Sequence, residues 1–452
     1  MNAEPPLDLL QPPDGWLDKL ARNGVASLLQ GLHDGELTIH ESGRSTTFGA
    51  PPADGSGLGA EVRVRHAGFW SDTAFGGALG AAESFVRGDW ETPDLTAVIR
   101  ILARHPELVL GLDSGWARFR GLALRAVQEL RRNSRTGARR NIAAHYDLGN
   151  EFFAAFLDPT LMYSCAIFPR PDASLEEASR FKLDLICRKL GLSPEQELVE
   201  IGTGWGGFAI HAASRYGCLV VTTTISGEQH AEAVARIRQA GLEQRITVLR
   251  EDYRDLPRLL GRRFDRLVSI EMIEAVGHEF LPHFFQVCGQ LLKPEGRGLI
   301  QAIVIRDQSY EVYRKSVDFI RRYIFPGGCL PSVARMVKTV AETSPLRVDG
   351  LDDFTPHYAA TLLEWRQRFH AADLAAFGRD ESFRRLWHWY FCYCEAGFLE
   401  RATGLVQLAL AGSRAGVGWG SGLGAPVLVR NLHPLAASAN LPAPTGVPPW
   451  NP

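Results

Sequence analysis

Apolar and polar positions change their period along the chain, and each change marks a part of it. Between residues 16 and 107, a helical spacing over 17–32 gives way to short alternating runs at 36–40, 45–48 and 60–65. Helical stretches at 78–86 and 95–103 follow. Period two predicts strands and period 3.6 predicts helices, so this part reads as a small α+β unit. From 141 onward strand and helix alternate: strands at 198–202, 218–225, 246–251, 264–271 and 297–305, helices at 207–216, 227–241 and 278–293. Such alternation predicts right-handed crossovers and a parallel, doubly wound, Rossmann-like α/β sheet. Helices at 310–324, 357–376 and 380–397 and a strand at 404–411 are expected to add a lid and an edge. The boundaries expected are an arm at 1–15, a domain at 16–117, a basic helical linker at 118–140, a second domain at 141–411 and a Gly/Pro/Ala-rich, poorly ordered tail at 412–452.

Composition narrows the class. The 452 residues are 45% hydrophobic and 22% charged with a net charge of −2, so no global field recruits nucleic acid. Locally the balance differs. Eight arginines lie between Arg118 and Arg140 against one carboxylate, Glu129, with Phe119, Leu122, Leu124, Val127 and Leu130 between them; this fits an interfacial helix, or a solvated or subunit-contacting one. The seven cysteines are scattered and form no metal-type Cys-x-x-Cys pair, as in a reducing compartment, and no metal site is expected. No apolar run suits a signal peptide or a membrane span, so a cytoplasmic location is expected.

The stretch Leu198-Val-Glu-Ile-Gly-Thr-Gly-Trp-Gly-Gly207 is a buried strand entering a glycine turn that opens a helix. Glycines admit a ligand to the backbone, and the helix N-terminus presents free N–H groups. No Lys-Ser or Lys-Thr follows, which disfavours a phosphate-cradling loop.

Four further stretches accompany it: Arg140-Asn-Ile-Ala-Ala-His-Tyr-Asp-Leu-Gly-Asn150, Met162-Tyr-Ser-Cys-Ala166, Ser269-Ile-Glu-Met-Ile-Glu-Ala-Val-Gly277 and Tyr323-Ile-Phe-Pro-Gly-Gly-Cys-Leu-Pro-Ser332. In this order the set resembles the cyclopropane-fatty-acyl-phospholipid synthases and the related mycolic acid cyclopropane synthases, methyltransferases dependent on S-adenosylmethionine (SAM). The resemblance covers about residues 16 to 411, including Gly88-Asp-Trp90 and Asp94-Leu95.

By position it implies a SAM site. Tyr163 and Ser164 would approach the methionine part, and Gly202, Gly204, Trp205 and Gly206 would pack against it. Thr224, Ile225 and Gln229 would lie near the ribose, Asp252, Tyr253 and Arg254 near the adenine, with Ile270 at the fourth strand. Read singly, Trp205 could equally be a core aromatic and Asp252 a helix cap. The family's bicarbonate base would be held by Cys165, Glu274, Gln301, Ile303 and Tyr358. Here Ala275 follows Glu274 where relatives have histidine, and Gln301 replaces the histidine of the anion site. A glutamine donates through its amide but carries no proton at neutral pH. Cys394 matches a cysteine near the substrate.

Methylating an isolated cis alkene needs no activated serine or cysteine. It needs an apolar channel, alignment of methyl and alkene, tolerance of a developing cation, and a base. Phe152, Phe153, Phe156, Tyr163 and Phe168, and Trp387, Trp389, Tyr390, Phe391 and Tyr393, would line such a channel. The expectation is a cyclopropane-fatty-acyl-phospholipid synthase acting on unsaturated phospholipid acyl chains, peripheral to the inner face of a membrane and homodimeric like its relatives. The alternatives are a C-methyltransferase yielding a methylene- or methyl-branched chain, and a non-enzymatic lipid-binding protein on the same fold.

Overall fold

The computed structural model describes residues 16–112, 133, 134, 137, 138 and 148–416. The arm expected at 1–15, most of the basic segment at 118–140 and the tail beyond 416 lie outside the described residues. Those described form two compact units. One contains 16–112 and 378–393; the other contains the rest.

In the first unit β1 (Gly35–Glu41), β2 (Arg44–Ala50), β3 (Gly59–Val64) and β4 (Trp90–Glu91) form a sheet of order β2-β1-β3-β4, with β1 and β3 parallel. The expected helix at 78–86 is the second half of a longer one, Gly68–Arg87, which turns at Gly77 (φ 63°). A glycine pair at that point reads as a break in sequence, whereas in the fold it is a kink. Helix Leu95–Ala103 falls where its periodicity predicts, capped by Asp94, whose carboxylate accepts the Ala97 N–H at 2.9 Å. The aromatic run at 387–391 also belongs to this unit. Trp389 meets Phe85 (5.4 Å between centroids) and Trp90 (5.9 Å), and Trp387 packs on Tyr390 and Phe391. These rings therefore build the core of the first unit rather than the aromatic wall described below.

The second unit is built on β5 (Glu197–Ile201), β6 (Leu219–Thr223), β7 (Ile246–Leu249), β8 (Phe264–Ile270), β9 (Leu292–Ile305), β10 (Arg347–Asp353) and β11 (Thr403–Ala411). Their order is β10-β11-β9-β8-β5-β6-β7, parallel from β7 to β9 and antiparallel beyond. Both faces are apolar, as a covered parallel sheet requires. Leu198, Val220, Val268 and Leu299 face the helices Leu175–Leu190 and Gly207–Tyr216, while Val199, Leu267, Ile300 and Leu408 face Leu281–Leu291 and Val333–Thr343.

Two expectations change here. The strand at 404–411 is not an edge: β10 pairs outside it. The sequence of β10, Arg-Val-Asp-Gly-Leu-Asp-Asp, lacks an apolar alternation because an edge strand needs none. The helix expected at 310–324 is broken into Tyr310–Tyr313 and a π-turn at Ile320–Ile324. Buried Arg321 accounts for the break: its guanidinium donates to the Tyr313 and Ser316 carbonyls, which a continuous helix would have used.

Strand order reverses at β5. From it the chain goes first to β6 and β7 on one side, then returns to β8 on the other, so the crevice for a ligand opens beyond the carboxyl ends of β5 and β8. The segment leading to that crevice is pressed against the start of helix Gly207–Tyr216. A Cβ on Gly207 would stand 2.5 Å from the Thr160 carbonyl oxygen and 2.8 Å from the Met162 sulfur. Gly207→Ala should therefore destabilise the protein by about 1–3 kcal/mol through overpacking, read as the shift in urea midpoint at constant m-value.

Candidate active site

The turn after β5 has the conformation a close-fitting ligand needs. Gly202, Gly204 and Gly206 have φ of 103°, 52° and 83°, where a side chain is strained. Gly202 and Thr203 donate their N–H groups to the Thr223 carbonyl, and the Trp205 carbonyl accepts from Arg236 at 2.8 Å. A Cβ on Gly204 would meet no atom of the described residues within 4 Å. Trp205 is buried, stacks near Phe153 (5.2 Å) and donates from its indole to Asn150 at 2.8 Å. It is both a core aromatic and part of the turn.

The other expected cofactor residues gather at the same strand ends. Thr224 and Gln229 pair with each other at 2.9 Å, Ser226 caps the helix that carries Gln229, and Ile225 is half-buried between them. Asp252, after β7, caps its own turn and forms a two-point ion pair with Arg254 at 2.8 and 2.5 Å. That is the capping role open to it in sequence. Tyr253 packs on Phe284, and Ile270 ends β8. Tyr163 sits in an aromatic wall with Phe153 (5.3 Å), Trp365 (5.3 Å), Phe156 (6.0 Å) and Phe325 (6.2 Å). Phe168 lies apart from that wall, stacked on His357. Ser164 accepts a hydrogen bond from buried Lys182 at 2.7 Å. The three glycine conformations, the space over Gly204 and the hydroxyl and amide groups of Thr224 and Gln229 fit a phosphate-free ligand such as SAM.

Beside this turn two carboxyl groups are buried together, and one of them is new. Glu271 follows β8 with φ 49°, rare for a residue with a side chain and costing on the order of 1–3 kcal/mol. That backbone turn carries its carboxylate into three donors. Oε1 accepts the Cys165 N–H at 2.9 Å and the Gln301 amide N–H at 2.8 Å, and Oε2 accepts the Tyr358 hydroxyl at 2.5 Å. Burial raises its pKa above the ordinary carboxylate value, and Tyr358, Gln301 and Lys182 oppose that rise. Glu274 has one donor: Oε1 takes the Ile303 N–H at 2.5 Å, and Oε2 is buried with no hydrogen-bond partner among the described residues. Burial and the neighbouring Glu271 charge push Glu274 up to about 8. The pair divides its roles by its donors: three of them favour the ionised form of Glu271, whereas Glu274, with one, is the member that favours its proton.

The residues expected to hold bicarbonate are thus brought together, but their donors are spent. Gln301, Tyr358 and the Cys165 N–H serve Glu271, and Ile303 serves Glu274. Among the described residues a further anion would lie against the Glu271 carboxylate with only the Glu274 proton left to donate to it, so the site does not fit bicarbonate. Burial raises the Cys165 thiol far above the usual range, so it is no nucleophile. Cys394 is half-buried on helix Glu381–Leu399, one turn before Phe398, which stacks on Tyr358 at 4.2 Å.

Two site residues were missed in sequence, though each carried a signal. Glu271 stands at the carboxyl end of a strand beside the switch point, where a ligand-facing residue belongs. Lys182 lies on the buried stripe Ala178, Lys182, Ile186, Leu190 of its helix, a cation on an apolar face. Burial lowers Lys182 to about 8, and Glu271 opposes that shift first among its neighbours.

Two outcomes follow from this geometry. Gly204→Val should lower SAM affinity at least tenfold, roughly 1.4 kcal/mol, by placing a branched side chain in the open space over the turn, as measured by calorimetry. The second concerns pH. Folded Glu274 titrates near 8 against an ordinary value of 4.5, so between those values the folded protein holds a proton that the unfolded chain has released. Its contribution to stability is full below 4.5 and is lost as pH rises through 8. Thermal melts should therefore show wild type losing stability over that window and Glu274→Gln losing less.

The chain was compared with known proteins. The family model described as mycolic acid cyclopropane synthetase matches residues 133–408. The tuberculostearic acid methyltransferase of Mycobacterium tuberculosis is 39% identical over 336 residues, 71% of this chain and 76% of that protein. The cyclopropane-fatty-acyl-phospholipid synthase of Escherichia coli is 35% identical over 362 residues, 78% of this chain and 88% of that one. Among solved structures, the cyclopropane synthase MmaA2 of Mycobacterium tuberculosis superposes with a TM-score of 0.55 at 31% identity, covering 60% of this chain and 98% of its own. The mycolic acid cyclopropane synthase CmaA1, solved with SAH and CTAB, gives the same score and identity over 60% and 97%. With the glycine turn, the switch-point crevice and the paired carboxyl groups in place, the chain belongs to the mycolic acid cyclopropane synthetase family of SAM-dependent methyltransferases.

Proposed function

We propose that this enzyme methylates the cis double bond of an unsaturated phospholipid acyl chain and that Glu271 is the base that completes the reaction, yielding a methylene-branched chain. The observation that carries this reading is the Glu271 carboxylate, built into the donor set where a bound anion was expected. SAM, when bound, supplies an electrophilic methyl group on a sulfonium.

The residues do the remainder. The turn at Gly202–Gly206 holds the cofactor by backbone packing, and the wall of Phe153, Phe156, Tyr163, Trp365 and Phe325 excludes water and turns aromatic faces toward a cation. When the alkene's π pair forms the new C–C bond, the neighbouring carbon becomes cationic. Three hydrogen bonds offset part of the basicity that burial gives Glu271, so the cation lives long enough for a hydride, moving with its electron pair, to shift from the methylated carbon. Glu271 then takes a proton from the added methyl, and that C–H pair becomes the C=C bond of a terminal =CH₂ branch. The chain gains one CH₂ and the sulfonium becomes a thioether. Protonated Glu274 keeps a second negative charge out of the site.

The likeness to the tuberculostearic acid methyltransferase supports a branched product. The likeness to the Escherichia coli synthase, over 88% of its length, favours the second reading, in which the same proton leaves before the shift and a ring closes. A phospholipid substrate places the enzyme at a membrane surface. No helix among the described residues is long and apolar enough to cross one, so attachment there is peripheral in this reading, as a homodimer on the cytoplasmic face.

Lipids from a host expressing the protein should gain one CH₂, and ozone should cleave the product, as it does a methylene branch and not a cyclopropane ring. Glu271→Gln should bind SAM within about twofold of wild type and lose turnover by roughly a hundredfold or more. Removing carbon dioxide should leave turnover unchanged. Turnover that survives in Glu271→Gln and follows added bicarbonate would assign the base to the anion instead.

A further inference from the structure

Three polar side chains cross the apolar sheet in one rung. Asp352 on β10 is the register partner of Gln407 on β11, and Gln407 is the partner of Gln301 on β9. Partners on neighbouring strands share a face. Along both inner strands the flanking residues are buried hydrophobics: Val406 and Leu408, Ile300 and Ala302. Both glutamines are fully buried. Buried amides destabilise a core unless each end is paired, so this rung needs a reason.

The rung is fully paired, and its pairing has a direction. Lys189, from helix Leu175–Leu190, donates from Nζ to Asp352 Oδ2 and to Gln407 Oε1, each at 2.6 Å. Gln407 Nε2 donates to Gln301 Oε1 at 2.9 Å, and Gln301 Nε2 donates to Glu271 Oε1 at 2.8 Å. An ammonium has donors only, whereas each amide has one donating and one accepting end. Lys189 therefore decides which way Gln407 faces. Turning Gln407 over would set its NH₂ against the ammonium; turning Gln301 over would set its oxygen against the Glu271 carboxylate.

We propose that Lys189 and Gln407 are positioning residues for the proton-removal step, acting through Gln301 to keep an N–H donor, not a carbonyl oxygen, on Glu271. This rests on the reading of Glu271 as the base. Among the described residues, the other groups facing Glu271 are Tyr358 from helix Thr355–Ala371, the Cys165 N–H, Lys182 from helix Leu175–Leu190 and the Glu274 carboxyl group. They leave the Gln301 contact untouched, whereas Asp352 is the charged partner that holds Lys189 in place.

The test is kcat against pH on vesicles of a mono-unsaturated phosphatidylglycerol, with SAM affinity from calorimetry. Without its ammonium the chain of amides loses its direction, and a flipped Gln301 disfavours the ionised base. Lys189→Met should move the acid limb of kcat upward by about one pH unit, roughly tenfold in rate below it, with SAM affinity within about twofold. Lys189→Arg should restore the limb. Gln407→Met breaks the same chain without touching the cation and should move the limb the same way; it is the variant read if Lys189→Met does not fold. An unmoved limb in a folded variant overturns the proposal. Glu271→Gln, run alongside, separates the two failures: if it abolishes turnover while the limb stays fixed, only the positioning role is lost. If it retains turnover, the base assignment falls and the proposal with it.

Discussion

A carboxylate buried at the switch point constrains most of the second unit. Moving an ionised group from water into such a site costs several kcal/mol, and only donors aimed at it recover that cost. Glu271 receives three, each from a different part of the chain: the loop at Cys165, the strand β9 and the helix Thr355–Ala371. Those parts must close on one point within hydrogen-bonding distance. The left-handed backbone at Glu271 follows from the same demand, since it turns the side chain off the strand axis into the crevice.

The surrounding structure holds these donors in place. Lys182 ties Ser164 to helix Leu175–Leu190, fixing the loop whose next N–H meets Glu271. Thr361 accepts the Ala166 N–H at 3.1 Å, so the same helix that presents Tyr358 also anchors the far side of that loop. The glycine turn is packed to this arrangement as well, because Gly202 leaves room for Met272, one residue past Glu271. The glycine turn and Glu271 thus share one piece of packing, which in the proposed reaction would align methyl and proton acceptor.

Within a family described by cyclopropane synthesis, two buried carboxyl groups where an anion was expected are what the proposed change in proton handling rests on. A fixed base has one position and one set of lone pairs, and its strength is set by its donors. Changing one donor can therefore retune timing between deprotonation and rearrangement, the choice on which ring and branch depend.

Much of this was legible in the chain. Strand and helix alternation from 198 to 305, the glycine turn and the cofactor stretches depend on local periodicity and on glycine's backbone freedom, properties a sequence displays directly. Glu274, Gln301 and Tyr358 were named by motif. Which groups they touch was decided by tertiary structure. Glu271 sits inside a quoted motif, yet nothing local reveals that three distant donors converge on it. The rung of Asp352, Gln407 and Gln301 needs the register of three strands, two of which are antiparallel additions, with β10 lacking any apolar alternation. The aromatic run at 387–391 reads the same whether it lines a channel or fills a core, and only the fold assigned it to the first unit. Periodicity records which face is buried; which groups meet across that burial, and hence which carboxylate is ionised, is a property of distances that arise only when the chain has closed.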